Sequence, residues 1–135
     1  MGLAERRAIK DFQDNHLPKL LAEIHAAAGF PVPIEITWDQ LATEGQSALY
    51  VEAWTEIFFK PVIEALRQIG VDDMGKDALK AGLKKIEFRN ASGYYSSGSA
   101  ITFQSGTLMI DHELSNVGDT SDRTKAAVEL MEKSL

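Results

Sequence analysis

At 135 residues, 44% hydrophobic and 25% charged, the chain has the size and composition of one α+β domain over residues 1–135, long enough to bury a core and without repeats or low-complexity tracts. Twenty acidic against fourteen basic residues leave a net charge of −6, which disfavours nucleic acid and anionic membranes and favours a protein partner with a basic surface. The lack of cysteine excludes disulfides, thiolate metal sites and thiol catalysis; no window approaches the roughly 20 apolar residues of a membrane span, and a charged start in place of a signal peptide points to the cytoplasm.

Residues 3–28 place Ile9, Phe12, Leu20, Leu21, Ile24, Ala27 and Ala28 at helical spacing, which predicts an amphipathic helix stopped by Gly29 and Phe30 and either kinked at Pro18, the preferred form, or restarted there as a second coaxial piece capped by Asn15. Residues 33–38 alternate Ile34, Ile36 and Trp38 with Glu35 and Thr37, a strand whose flanking Pro31 and Pro33 suit a sheet edge. A polar connection over 39–46 leads to a second helix over 47–69, with Val51, Trp54, Phe58, Val62, Leu66 and Ile69 on one stripe and a bend near Ile57 imposed by Pro61. Gly70 and Val71 repeat the earlier stop signal. Asp72 or Asp73 can cap a third helix reaching about Leu83, and Ile86 and Phe88 then alternate with Lys85, Glu87 and Arg89 in a second strand over 85–90.

The Gly- and Ser-rich stretch 90–99 reads as a mobile loop. After it, two β-rich runs flank Ser105 and Gly106, a pair suited to a two-residue turn. Folding about that pair sets Gln104 opposite Thr107, Phe103 opposite Leu108, Thr102 opposite Met109, Ile101 opposite Ile110 and Ala100 opposite Asp111. One face then carries Ile101, Phe103, Leu108 and Ile110, continuing to His112 and Leu114; the other carries Thr102, Gln104, Thr107, Met109, Asp111 and Glu113. A last helix over 121–134, capped by Thr120 or Asp119, turns Ala127, Val128, Met131 and Leu135 inward. The order α-β-α-α-β-β-β-α predicts an α+β fold: a four-stranded antiparallel sheet with helices packed on one face and a polar, open second face.

Asp111, His112 and Glu113 are the one place where acid, base and metal-ligand chemistry crowd together, but in a strand the carboxylates point one way and the imidazole the other. A small enzyme or small-molecule site would use His112 with Asp111, Glu113 or Glu56, and requires a cavity beside His112. Glu56 also stands four residues before Lys60, the favourable order for a surface pair. His16 and His25 lack zinc-site spacing, and no phosphate loop, nucleophile elbow or dinucleotide fingerprint occurs, so neither metal nor cofactor is expected. Lys76, Lys80, Lys84 and Lys85 leading to Arg89 form a basic stripe with no interleaved aromatics, the pattern of a solvated face. Tyr94 and Tyr95 at the head of loop 94–99 offer contact area at small entropic cost. The preferred expectation is therefore a non-enzymatic protein-binding module, able to pair with a partner or a second copy of itself through Tyr94, Tyr95, Thr102, Met109, Asp111 and Glu113.

Overall fold

In the computed structural model, which describes residues 1–135, the first helical stretch is divided rather than bent. Helix α1 (Leu3–Asn15) and helix α2 (Leu17–Ala28) meet at His16, whose φ of −122° lies outside the helical range. Pro18 has no N–H to donate and its ring opposes the carbonyl four residues back, so the ladder is interrupted there and Pro18 takes a first-turn position in α2. The expected stop is present, with Gly29 left-handed at φ 83°.

Strand β1 (Ile34–Ile36) is shorter than the alternation suggested. Trp38 leaves the sheet and opens a one-turn helix, α3 (Trp38–Leu41), placing its ring 5.5 Å from Trp54 and 5.9 Å from Phe12. The following connection is tied to the next helix by two aromatic donors: Tyr50 OH to the Thr43 carbonyl (2.9 Å) and Trp54 Nε1–H to the Leu41 carbonyl (3.2 Å).

The second helix changes pitch along its length. A 3₁₀ turn (Ser47–Leu49) leads into α4 (Tyr50–Trp54), a π-helical segment (Thr55–Phe59) and α5 (Lys60–Ile69). The expected bend at Pro61 is thus taken up as a π-bulge: Lys60 N–H reaches back to Thr55, and the next donor in that register would be Pro61, which has none. The Glu56 carbonyl is left without a helical partner. The bulge also rotates Phe59, which falls off the apolar stripe of a regular helix, into the core beside Phe12 and Phe88. Val51, placed on that stripe by its spacing, is exposed instead.

Gly70 ends α5 with φ −81°, so the left-handed stop anticipated there is absent and Val71 projects into solvent. Helix α6 (Asp73–Gly82) follows, with the Asp72 side chain accepting from Gly75 N–H at 2.8 Å. Gly75 is required by proximity: a Cβ there would stand 1.7 Å from the Ile69 carbonyl oxygen. Gly75→Ala is therefore expected to lower unfolding free energy by about 2 kcal/mol as α5 and α6 are forced apart, measured by urea denaturation; an unchanged midpoint would contradict this close approach.

Strand β2 (Lys85–Arg89), a helical turn α7 (Ser97–Ala100), β3 (Ile101–Gln104), β4 (Thr107–Asp111) and α8 (Thr120–Ser134) complete the chain. Ser105 and Gly106 take φ 52° and 81°, as a primed two-residue turn requires, and the pairing of residues 101–104 with 110–107 is the one anticipated. Pairing ends at Ile101, because Ala100 belongs to α7 and does not face Asp111.

The four strands lie in the order β1-β2-β4-β3, and the sheet is mixed rather than antiparallel. β2 runs parallel to both β1 and β4; only β3 and β4 are antiparallel. The antiparallel expectation assumed that β2 pairs with the next strand in sequence. Residues 90–100 instead carry the chain past one strand position, so that β4, with Leu108 and Ile110 fully buried, fills the sheet centre and β3 takes the edge. Gly106 locks this arrangement, its carbonyl accepting from Lys84 N–H (2.7 Å) and Lys85 N–H (3.2 Å).

The two faces follow the alternation of the strands. Ile86, Phe88, Leu108, Ile110 and Ile101 are buried beneath the helices, each large side chain contributing about 1.5–3 kcal/mol by leaving water. On the other face Glu35, Glu87, Met109 and Thr102 form one row across the sheet and Lys85, Thr107 and Gln104 a second, all at least partly exposed. No helix is long and apolar enough to cross a membrane.

Candidate functional site

The carboxyl ends of the parallel strands β2 and β4 stand side by side, with Arg89 paired to Asp111. Asp111 is 2% exposed, unlike the solvated carboxylate anticipated on the open face. Its Oδ1 accepts from Ala91 N–H (2.9 Å) and Ser92 N–H (3.2 Å), and its Oδ2 from Ser92 Oγ (3.0 Å) and Arg89 Nε (3.2 Å). Burial pushes the carboxyl pKa up, but the combined hydrogen bonds from Ser92, Ala91 and Arg89 outweigh it and hold the group below its usual value. Asp111 is thereby committed to fixing the start of the loop that follows β2.

His112 points the other way, as strand geometry demands, and is fully buried. Its backbone N–H donates to the Arg89 carbonyl at 3.0 Å. Its Nδ1 is bonded to the Glu113 carbonyl, which can only accept, so Nδ1 carries a proton and donates it, while Nε2 has no hydrogen-bond partner. Burial foremost, with the Arg123 guanidinium adding to it, pushes this imidazole below its usual pKa against the Glu113 carbonyl and the carboxylates of Glu113 and Asp119. Four surface grooves are present and none is lined by His112, so the cavity that a small-molecule site beside it would need is absent. The ring is enclosed by packed side chains.

Glu113 caps the next turn, its carboxylate accepting from Ser115 N–H and Ser115 Oγ, both at 2.7 Å, and from Asn116 N–H at 3.2 Å. Glu56 stands on the π-helical segment. There its Oε2 accepts from Thr120 Oγ1 (2.8 Å) and its Oε1 stands 3.7 Å from Lys60 Nζ. Its freed backbone carbonyl accepts from Arg123 at 3.2 Å, while the same guanidinium donates to the carbonyls of Asn116 and Val117, each at 2.9 Å. Arg123 is fully buried and clasps three backbone acceptors that secondary structure leaves over. No three His, Asp or Glu side chains stand at metal-ligand spacing.

These anchors define the Tyr94 and Tyr95 loop. Asp111 holds residues 91 and 92; Glu113 N–H donates to the Tyr94 carbonyl (2.8 Å); Asn116 Nδ2 donates to the Tyr95 carbonyl (2.8 Å) and to Asp119 Oδ2 (2.7 Å). The segment anticipated as mobile is pinned by its backbone on both sides, while the Tyr94 and Tyr95 side chains stand 41% and 70% exposed. Thr102 and Met109 are neighbours on the open sheet face, half-buried. Of the basic stripe, Lys85 pairs with Glu35 (2.9 Å) and Arg89 with Asp111, which leaves Lys76, Lys80 and Lys84 as ordinary surface cations.

Residue type alone does not mark Arg123, Asn116 or Ser92, and marks Arg89 only as the end of the basic stripe. Arg123 was within reach of periodicity, since it lies four and eight residues before Ala127 and Met131 on the buried stripe of α8. Comparison with models of protein families, with curated proteins and with solved structures returned no match.

Proposed function

We propose that the chain is a non-enzymatic protein-binding module whose contact surface is centred on Tyr94 and Tyr95 and extends to the open sheet face at Thr102 and Met109. What carries this reading is the combination at one loop of a hydrogen-bonded, ordered backbone with two outward tyrosines. Ordering the loop before a partner arrives removes much of the entropy loss that binding otherwise incurs, and exposed tyrosine is among the side chains that concentrate interface energy. Asp119, held beside the Tyr95 carbonyl through Asn116, and Glu113 give the loop an acidic margin, which suits a basic partner surface. Asp111 serves in this scheme from inside, by positioning the loop rather than by touching the partner.

The double substitution Tyr94→Ala with Tyr95→Ala tests the proposal. Because both side chains project into solvent, thermal unfolding should be nearly unchanged, whereas a partner recovered with the native chain should bind about 30-fold or more weakly, read by calorimetric titration. A partner held equally well by both forms would refute the assignment of the surface.

A further inference from the structure

We propose that the β3 edge pairs with the β3 edge of a second copy of this chain, forming a twofold dimer in which one sheet runs through both protomers. This surface is separate from the tyrosine loop, and the two proposals stand independently.

The sheet has two edges, and they are treated differently. β1 is only three residues long, is preceded by Pro31 and Pro33, and turns Glu35 to solvent, three devices that discourage strand addition. β3, Ile-Thr-Phe-Gln, has no proline and no charge, and its pairing with β4 is continuous without a bulge. In a hairpin closed by a two-residue turn, Gln104 and Thr107 exchange both backbone bonds and Thr102 and Met109 do so next. The N–H and C=O groups of Ile101 and Phe103 consequently point away from β4, and no turn, loop or cap takes them up; Phe103 is partly exposed, whereas Ile101, 3% exposed, opens only onto a groove beside α8. Groups so spaced are matched by another extended backbone.

The edge is complementary to itself. Antiparallel pairing about a twofold axis through Thr102 sets Ile101 of each copy opposite Phe103 of the other, so the outward-pointing residues are the ones that exchange bonds. Both Ile and Phe pairs fall on the covered face, and Thr102 meets its own copy on the open face. No like charges meet along the strand. Beside Ile101, the α8 residues Ala126, Glu129, Leu130 and Lys133 line a groove of about 170 Å³. The same axis brings this stripe towards its copy, where Glu129 and Lys133 offer opposite charges around an apolar pair. An unrelated peptide would satisfy the backbone groups but not both matches at once.

Sedimentation velocity tests the pairing. The native chain should sediment as a dimer of 14.9 kDa protomers. Thr102→Lys and Thr102→Glu place like charges on the axis and should each dimerise about tenfold or more weakly, with unchanged circular dichroism, and an equimolar mixture of the two should regain the native dimer. In the native dimer, the amide of the partly exposed Phe103 should exchange slowly with deuterium and become fast on dilution. A native chain that stays monomeric at about 1 mM, a dimer indifferent to both charges, a mixture that fails to recover, or fast exchange at Phe103 within the dimer would each overturn the proposal.

Discussion

Arg123→Ala is expected to lower unfolding free energy by about 4 kcal/mol, because three part-buried carbonyls lose a common donor and those of Glu56 and Val117 keep only the single Thr120 hydroxyl between them. Those carbonyls belong to Glu56, Asn116 and Val117, so the one guanidinium joins the π-bulge to the 112–119 connection. Each orphaned acceptor costs about 1–3 kcal/mol. Removing the cation offsets part of that sum, since Arg123 is wholly buried, has an unpartnered Nε, and sits where burial disfavours its charge. Arg123→Lys should recover only a fraction, because an ammonium cannot span three carbonyls from one plane. Urea denaturation monitored by tryptophan fluorescence measures both variants. A loss below about 1 kcal/mol in the alanine variant would mean that the carbonyls find other donors.

Asp111→Ala should cost about 3 kcal/mol and free the tyrosine loop, as the N–H groups of Ala91 and Ser92 and the Arg89 guanidinium are left without their common acceptor. Asp111→Asn keeps the shape but turns donors towards donors, so it should recover little. The two effects are separable: amide exchange at residues 91 and 92 should accelerate well beyond what the global destabilisation explains. Acid dependence carries the same signature. The Asp111 pKa is lowered in the folded chain, so the unfolded chain takes up the proton first; the contribution is complete above the ordinary aspartate value of about 3.9 and is lost as pH falls from there through the lowered folded value. In Asp111→Asn that segment of the acid-unfolding curve should flatten. An unaltered curve would show that Asp111 is not the group responsible.

Local patterning carried far into this fold. The primed turn at Ser105 and Gly106, the hairpin register, the apolar face of Ile101, Leu108 and Ile110, the Asp72 cap and the left-handed Gly29 all follow from side-chain alternation and from what a few residues permit of the backbone. His112 was placed on the covered side by the same alternation. The candidate site was legible in part: Tyr94, Tyr95, Asp111 and Glu113 stand out by type, but the roles of the two carboxylates as loop anchors do not, because their partners at residues 91, 92 and 115 are ordinary backbone donors. The burial of His112 was not legible for a similar reason, since enclosure depends on segments distant in sequence.

Residue order by itself determined the longer helices, the four strands and that one hairpin closes on two residues, but not the helical turns α3 and α7, because the former depend on neighbours within a few positions. Tertiary structure alone decided that β4 inserts beside β2 and makes the sheet mixed, that Pro61 is absorbed as a π-bulge, and that Arg123 binds the carbonyl this bulge releases. Those outcomes turn on groups distant in sequence competing for the same buried hydrogen bonds, and that competition is settled only when the layers are packed together.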